Sequence, residues 1–136
     1  MSMRKRYRTA VEEQFPDEIR ITIGGSERLY RKRMSLRYGE NPHQPAAFYS
    51  PAEGPLTVGD LRLLKSGKSG LSMTNVEDVN NAMRIVSYFS EPACAVMKHV
   101  NPSGAAVRNA PGEPLREVYK KARDCDALAA YGSVVG

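Results

Sequence analysis

The run Ala93-Cys94-Ala95-Val96-Met97, closed by Pro92 on one side and Lys98 on the other, constrains the fold more than any other stretch. No residue in it is suited to face water, so both faces must be covered, and it is too short for an ordinary helix. It reads as a buried strand feeding a turn. Upstream, Val76, Val79, Ala82, Met83, Val86 and Phe89 recur at three- and four-residue steps, which predicts an amphipathic helix from Thr74 to about Phe89. Thr74 or Asn75 can cap it, with Glu77 and Asp78 in its first turn near the positive end of the dipole. Downstream, Leu115, Val118, Tyr119 and Ala122 predict a second helix, and "YGSVVG" from Tyr131 opens a further strand. Helix, strand, helix, strand is the order of an α/β unit with parallel strands.

The segment before this unit is organised differently. Met1 to about Asp17 is charged and weakly patterned, and is expected to be an arm or a short amphipathic helix. Its cluster Arg4, Lys5, Arg6 and Arg8 can touch RNA, although a solvated terminus is the commoner meaning of so short a run. Ile19, Ile21 and Ile23 then alternate with polar residues up to Gly24-Gly25, the pattern of a half-buried strand entering a hairpin, with "RLYRKRM" returning beside it. Residues 1–35 are therefore expected to form an arm and a hairpin. In the Pro- and Gly-rich connection "LRYGENPHQPAAFYSP", one short strand is expected from Ala46 to Tyr49. "KSGKSG" lacks the spacing of a phosphate loop and reads as a flexible turn.

At 136 residues, 41% of them hydrophobic and 26% charged, the chain suits one globular domain or a large fragment of one. No apolar run approaches the roughly 18 to 20 residues of a membrane helix. The basic N-terminus has no apolar segment behind it, so a secretory signal is not expected and the cytoplasm is. Cys94 and Cys125 lie in no metal-binding spacing and are expected to be buried free thiols. A net charge of +5 favours anionic partners, nucleotide or nucleic acid alike.

The chemistry is concentrated where the buried strand ends, in "MKHVNPSGAA". Adjacent residues inside a strand point to opposite faces, but a chain leaving the pleat at Asn101-Pro102-Ser103-Gly104 relaxes that restriction for Lys98 and His99. Gly104 permits a positive φ or a close backbone approach. A neutral His99 imidazole can take a proton from an attacking amine, and Lys98 can stabilise charge on a carbonyl oxygen as it becomes tetrahedral. That pairing suits acyl or formyl transfer. The competing meaning is a strand-end histidine bonded to backbone, the commoner fate of such a residue. In "LRYGENPHQ", Arg37 offers a planar cationic fork for phosphate or carboxylate and Tyr38 a ring that can stack on a heterocycle. A structural turn explains the same residues equally well. Asn75, Asp78 and Asn81 share one helical face, which capping and hydrogen bonds at the edge of the core would explain.

Taken in order, "LRYGENPHQPAAFY", "SMTNVEDVNNA", "MKHVNPSGAAV" and "YKKARDCDALAAYGSVV" resemble the first half of the formyltransferase portion of the AICAR transformylase/IMP cyclohydrolase family, from about Leu36 to Gly136. The resemblance implies a cytidine-deaminase-like three-layer α/β subdomain over residues 36–136, used twice per formyltransferase part, with active sites shared across a homodimer. It implies transfer of a formyl group from 10-formyltetrahydrofolate, as cosubstrate, to the 5-amino group of AICAR, giving FAICAR without a metal. Under it His99 is the base, Lys98 the transition-state stabiliser, and Arg37, Tyr38, Asn101 and Gly132 contact the ribotide. Where the family commonly reads SAFG, this chain has Ala129-Ala130-Tyr131-Gly132. The family's folate-binding later half and its cyclohydrolase domain are not among these residues. A short relative, one chain of a split enzyme, or a piece of a longer product are the arrangements expected, the last two favoured by the closing apolar strand. The rivals are a non-catalytic nucleotide- or RNA-binding module, disfavoured by scattered aromatic residues and the lack of an RNA-binding motif, and ring closure to IMP.

Overall fold

A computed structural model describes residues 15–55, 57–65, 67 and 70–136. The basic cluster Arg4, Lys5, Arg6 and Arg8 lies outside the described residues, as do three of the six positions of "KSGKSG". The chain divides into two compact units, Met1–Met73 and Thr74–Gly136.

The first unit holds an antiparallel meander of β1 (Glu18–Ile23), β2 (Ser26–Leu36) and β3 (Ala46–Pro51), in that order. Gly24 and Gly25 turn between β1 and β2 with φ of 58° and 80°, the left-handed pair that a two-residue hairpin needs and that glycine adopts without a Cβ clash. The isoleucine alternation marks the strand correctly but not its burial. Ile21 and Ile23 are 41% and 50% exposed, because β1 is an edge strand whose far end pairs only with the tip of β2. A single turn of 3-10 helix, Val58–Asp60, packs where Gly59 comes against Phe48 and Ser50; a Cβ there would stand 2.9 Å from the Phe48 ring.

The second unit is built on the apolar run. It forms β4 (Ala93–Lys98), the central strand of a sheet ordered β5-β4-β6, with β5 at Asn101–Val107 and β6 at Val134–Val135. Alternation along β4 sends Ala95 and Met97 to one face, against Ala82 of helix α1 (Met73–Val86), with Ile85, Val86 and Val134 around them. Cys94 and Val96 go to the other face, against Val118 and Ala122 of helix α2 (Leu115–Asp124). Val96 and Met97 are fully buried, as a strand covered on both faces requires.

Three expectations are corrected here. The strands are antiparallel, not parallel: Asn101 to Gly104 does not turn away but pairs back along β4 as part of β5. This extra reversal makes β6 return antiparallel to β4, although β5 and β6, joined through α2, run the same way. Pro102 is tolerated because β5 is an edge strand, next to a register shift at Val96/Met97. The helix α1 starts at Met73 and stops at Val86, so Thr74 and Asn75 lie inside it, and its first turn carries no acidic residue. Beyond Val86 the ladder tightens, with the Tyr88 and Phe89 amides donating to the Ile85 and Val86 carbonyls. Finally, Cys94 is buried but Cys125 is exposed, and both are free.

Burial pushes the Cys94 thiol above its ordinary pKa, which depletes the reactive thiolate. Treating the folded chain with Ellman's reagent near neutral pH is expected to release colour from Cys125 quickly and from Cys94 only on denaturation. Equal rates for the two thiols in the folded chain would contradict that burial.

Candidate functional site

Strand β4 carries the apolar run straight to Lys98, and the reversal is completed by His99 and Val100 alone, since Lys98 already pairs with Asn101. His99 and Val100 have φ of 51° and 70°. This is the two-residue hairpin geometry usually filled by Asn-Gly or Gly-Gly. Histidine visits that region more readily than most residues, whereas a β-branched valine there is an outlier, and such positions cost about 1 to 2 kcal/mol each. The turn thus occurs two residues earlier than the Asn101-Pro102-Ser103-Gly104 segment suggested. Gly104 serves the other purpose open to it: a Cβ there would stand 2.0 Å from the Ala122 carbonyl oxygen of α2.

Each residue of this tip is tied down. The Lys98 ammonium donates to the Tyr131 carbonyl, and a Cβ at Gly132 would lie 3.3 Å from Lys98 Nζ. Gly132 has φ of 70°, the left-handed region that glycine adopts without strain. Asn101 Nδ2 donates to the His99 carbonyl at 3.2 Å, and the Ser103 hydroxyl to the Val96 carbonyl at 3.2 Å. From α1, Asp78 Oδ1 accepts the Val100 amide at 2.6 Å. His99 itself is exposed and Lys98 half-buried.

Lys98, His99, Asn101 and Gly132 are therefore gathered at one end of the second unit, around the β4–β5 turn and the segment leading into β6. An ammonium has further donors once one is given to Tyr131, so it can still polarise an oxygen, with an accessible imidazole as its chain neighbour. Asp78 and the Tyr131 carbonyl are participants that sequence reasoning missed as such. Asp78 was visible as an acidic residue on a partly apolar helix face, but its target amide lies 22 positions away.

Arg37 and Tyr38 belong to the first unit. The Arg37 guanidinium stacks 4.7 Å from the Tyr38 ring centroid and donates from Nη2 to the Tyr38 hydroxyl at 3.1 Å. Their backbone is held by segment 71–73, through Arg37 N–H to the Leu71 carbonyl at 2.7 Å and Met73 N–H to the Tyr38 carbonyl at 3.0 Å. The following turn satisfies itself: Gln44 Oε1 accepts from the Asn41 amide, and the Gln44 carbonyl from Gly39 N–H at 2.9 Å. Arg37 is exposed, and its cationic face is stacked rather than paired with a carboxylate among the described residues. No group of three or more His, Cys, Asp or Glu among the described residues could hold a metal ion, and no described helix is long and apolar enough to cross a membrane.

Comparison with known proteins bears on what this geometry serves. The model of the AICARFT/IMPCHase bienzyme family matches residues 2–136. The bifunctional purine biosynthesis protein PurH of Clostridium botulinum (strain 657 / Type Ba4) is 38% identical over 125 residues, covering 92% of this chain and 22% of the relative. PurH of Clostridium acetobutylicum is 38% identical over 128 residues, covering 94% of this chain and 23% of the relative. The chain thus spans less than a quarter of the length of these relatives. With the family match extending over nearly all of its residues, the chain belongs to the AICARFT/IMPCHase bienzyme family.

Proposed function

We propose that this chain supplies part of a formyltransferase site that moves a formyl group from 10-formyltetrahydrofolate to the 5-amino group of AICAR, giving FAICAR. The observation that carries the reading is the tie between Lys98 and the Tyr131-Gly132 segment, which joins two of the motifs on which the resemblance rests across 33 positions. On this reading residues 36–136 are the first, cytidine-deaminase-like subdomain of the transformylase.

The lone pair of the ribotide amine attacks the formyl carbon, and His99 takes the amine proton as the new C–N bond forms. The formyl oxygen gathers negative charge that the Lys98 ammonium offsets. Collapse breaks the bond from the formyl carbon to the folate nitrogen, which leaves with the proton that the His99 imidazolium gives up, so that the imidazole ends neutral. By the resemblance, Arg37 and Tyr38 contact the ribotide through its phosphate and its ring, and Asn101 and the Gly132 backbone are further ribotide contacts, in active sites shared across a homodimer. Residues that bind the folate come from sequence corresponding to the rest of the relatives' length. The working enzyme is then an assembly of this chain with that remainder, as a cytoplasmic homo-oligomer.

The test is to incubate AICAR with 10-formyltetrahydrofolate, or with formate and ATP, in the presence of this chain with and without a polypeptide carrying the remaining sequence. FAICAR formed only with the folate donor and only by the assembly is the expected result. Conversion of supplied FAICAR to IMP, with no formyl transfer by any combination, would instead make the chain a cyclohydrolase component.

A further inference from the structure

The turn that presents His99 is held in a conformation its own residues do not favour, by a group that the chemistry above leaves unused. Among the described residues Asp78 is the buried charged side chain, 6% exposed on helix α1. A buried carboxylate is costly unless it is hydrogen-bonded. Its Oδ1 lies 2.6 Å from the amide nitrogen of Val100, a short contact of the kind a carboxylate makes with a backbone N–H. That amide belongs to the residue least suited to its backbone: valine at φ 70°, following histidine at φ 51°. In a two-residue hairpin the second turn residue's N–H points away from the ladder and must find a partner elsewhere.

We infer that Asp78 is a positioning residue for the His99–Val100 turn. By accepting the Val100 amide it locks the turn in the left-handed region and so sets where the His99 imidazole and the Lys98 ammonium stand. Lys98 closes β4 and pairs with Asn101 across the turn, so a turn that relaxed would carry both groups with it. Of the other bonds at the tip, that from Asn101 Nδ2 to the His99 carbonyl comes from an exposed residue on the same hairpin, and that from the Lys98 ammonium to the Tyr131 carbonyl holds a side chain ahead of the turn rather than the His99–Val100 backbone. Asp78 does this from the helix that covers the Ala95 and Met97 face of β4. The catalytic consequence rests on the formyl-transfer reading; the geometric claim does not.

The experiment therefore has two arms. In the first, amide hydrogen exchange and His99 imidazole resonances are followed by NMR in this chain and its Asp78→Ala and Asp78→Asn variants. Exchange of the Val100 amide is expected to speed up roughly tenfold or more in Asp78→Ala, with the His99 resonances displaced. Asp78→Asn keeps the shape and an acceptor oxygen and should fall between; it carries the same readout if the alanine variant fails to fold. Adding Val100→Gly to Asp78→Ala should return the His99 resonances toward the parent values, because glycine holds a positive φ unaided. A merely structural loss in the helix would gain nothing from a glycine in the turn.

In the second arm, the active assembly carrying Asp78→Ala is expected to lose on the order of 10²-fold in kcat with little change in KM for the ribotide, and to recover most of it with Val100→Gly. An unchanged Val100 exchange rate in Asp78→Ala, or a double variant no better than the single one, overturns the inference. If the parent assembly transfers no formyl group, the formyl-transfer reading fails while the first arm still decides the role of Asp78.

Discussion

Replacing Gly104 by alanine is expected to destabilise the 74–136 unit by about 3 kcal/mol or more, at the upper end of what overpacking costs. The new Cβ would stand 2.0 Å from the Ala122 carbonyl oxygen and 2.7 Å from Cys125 Cβ. A flexible side chain could swing aside, but a carbonyl in the last turn of α2 moves only if the helix or β5 moves. The φ of Gly104 lies outside the left-handed region, so alanine suits the backbone and the whole penalty is steric. It falls on a packed unit, since Val118 and Ala122, which dock α2 on the sheet, are fully buried. Urea unfolding followed by hydrogen exchange in β4 and β5 measures the loss. A change under about 1 kcal/mol would mean that the close approach of β5 to α2 is not maintained in solution.

Removing the His99 side chain is expected to lower formyl transfer by the assembly on the order of 10²- to 10⁴-fold while the fold persists. The imidazole is exposed, so little packing is lost with it. Alanine fits a φ of 51° less well than histidine, and His99→Asn is the better control. Asparagine tolerates the left-handed region and keeps the turn, yet cannot serve as a base near neutral pH. Both variants should be comparably inactive if proton transfer is what is lost. Near-normal turnover by His99→Asn would remove histidine from the chemistry and leave it as a turn residue.

The contrast between Gly104 and His99 shows how unevenly function was legible. The four motif segments pointed to a family that matches nearly the whole chain. The same letters misplaced the turn. Asn101-Pro102-Ser103-Gly104 has the composition of a turn, and His99-Val100 does not, yet the chain reverses at the latter. Turn propensity is a local preference of a kilocalorie or so, and a buried carboxylate waiting for one amide can outweigh it. Asp78 shows this from the other side. Read as a helix-start acid it had a local explanation; in the fold its partner is the turn.

What the sequence by itself determined was the buried central strand of the second unit and the two helices that cover it. The apolar run from Ala93 had to be covered on both faces, and the helical periods around Val76 and Val118 supplied the covers, because burial imprints itself on residue spacing at each position separately. What only the tertiary structure decided was direction and contact. The antiparallel order β5-β4-β6, the reach of Lys98 to the Tyr131 carbonyl and the hold of Asp78 on Val100 all depend on which backbone groups are met, by a neighbouring strand or by a side chain 22 or 33 positions away. Every residue offers nearly the same N–H and C=O, so that choice leaves no mark in the local pattern.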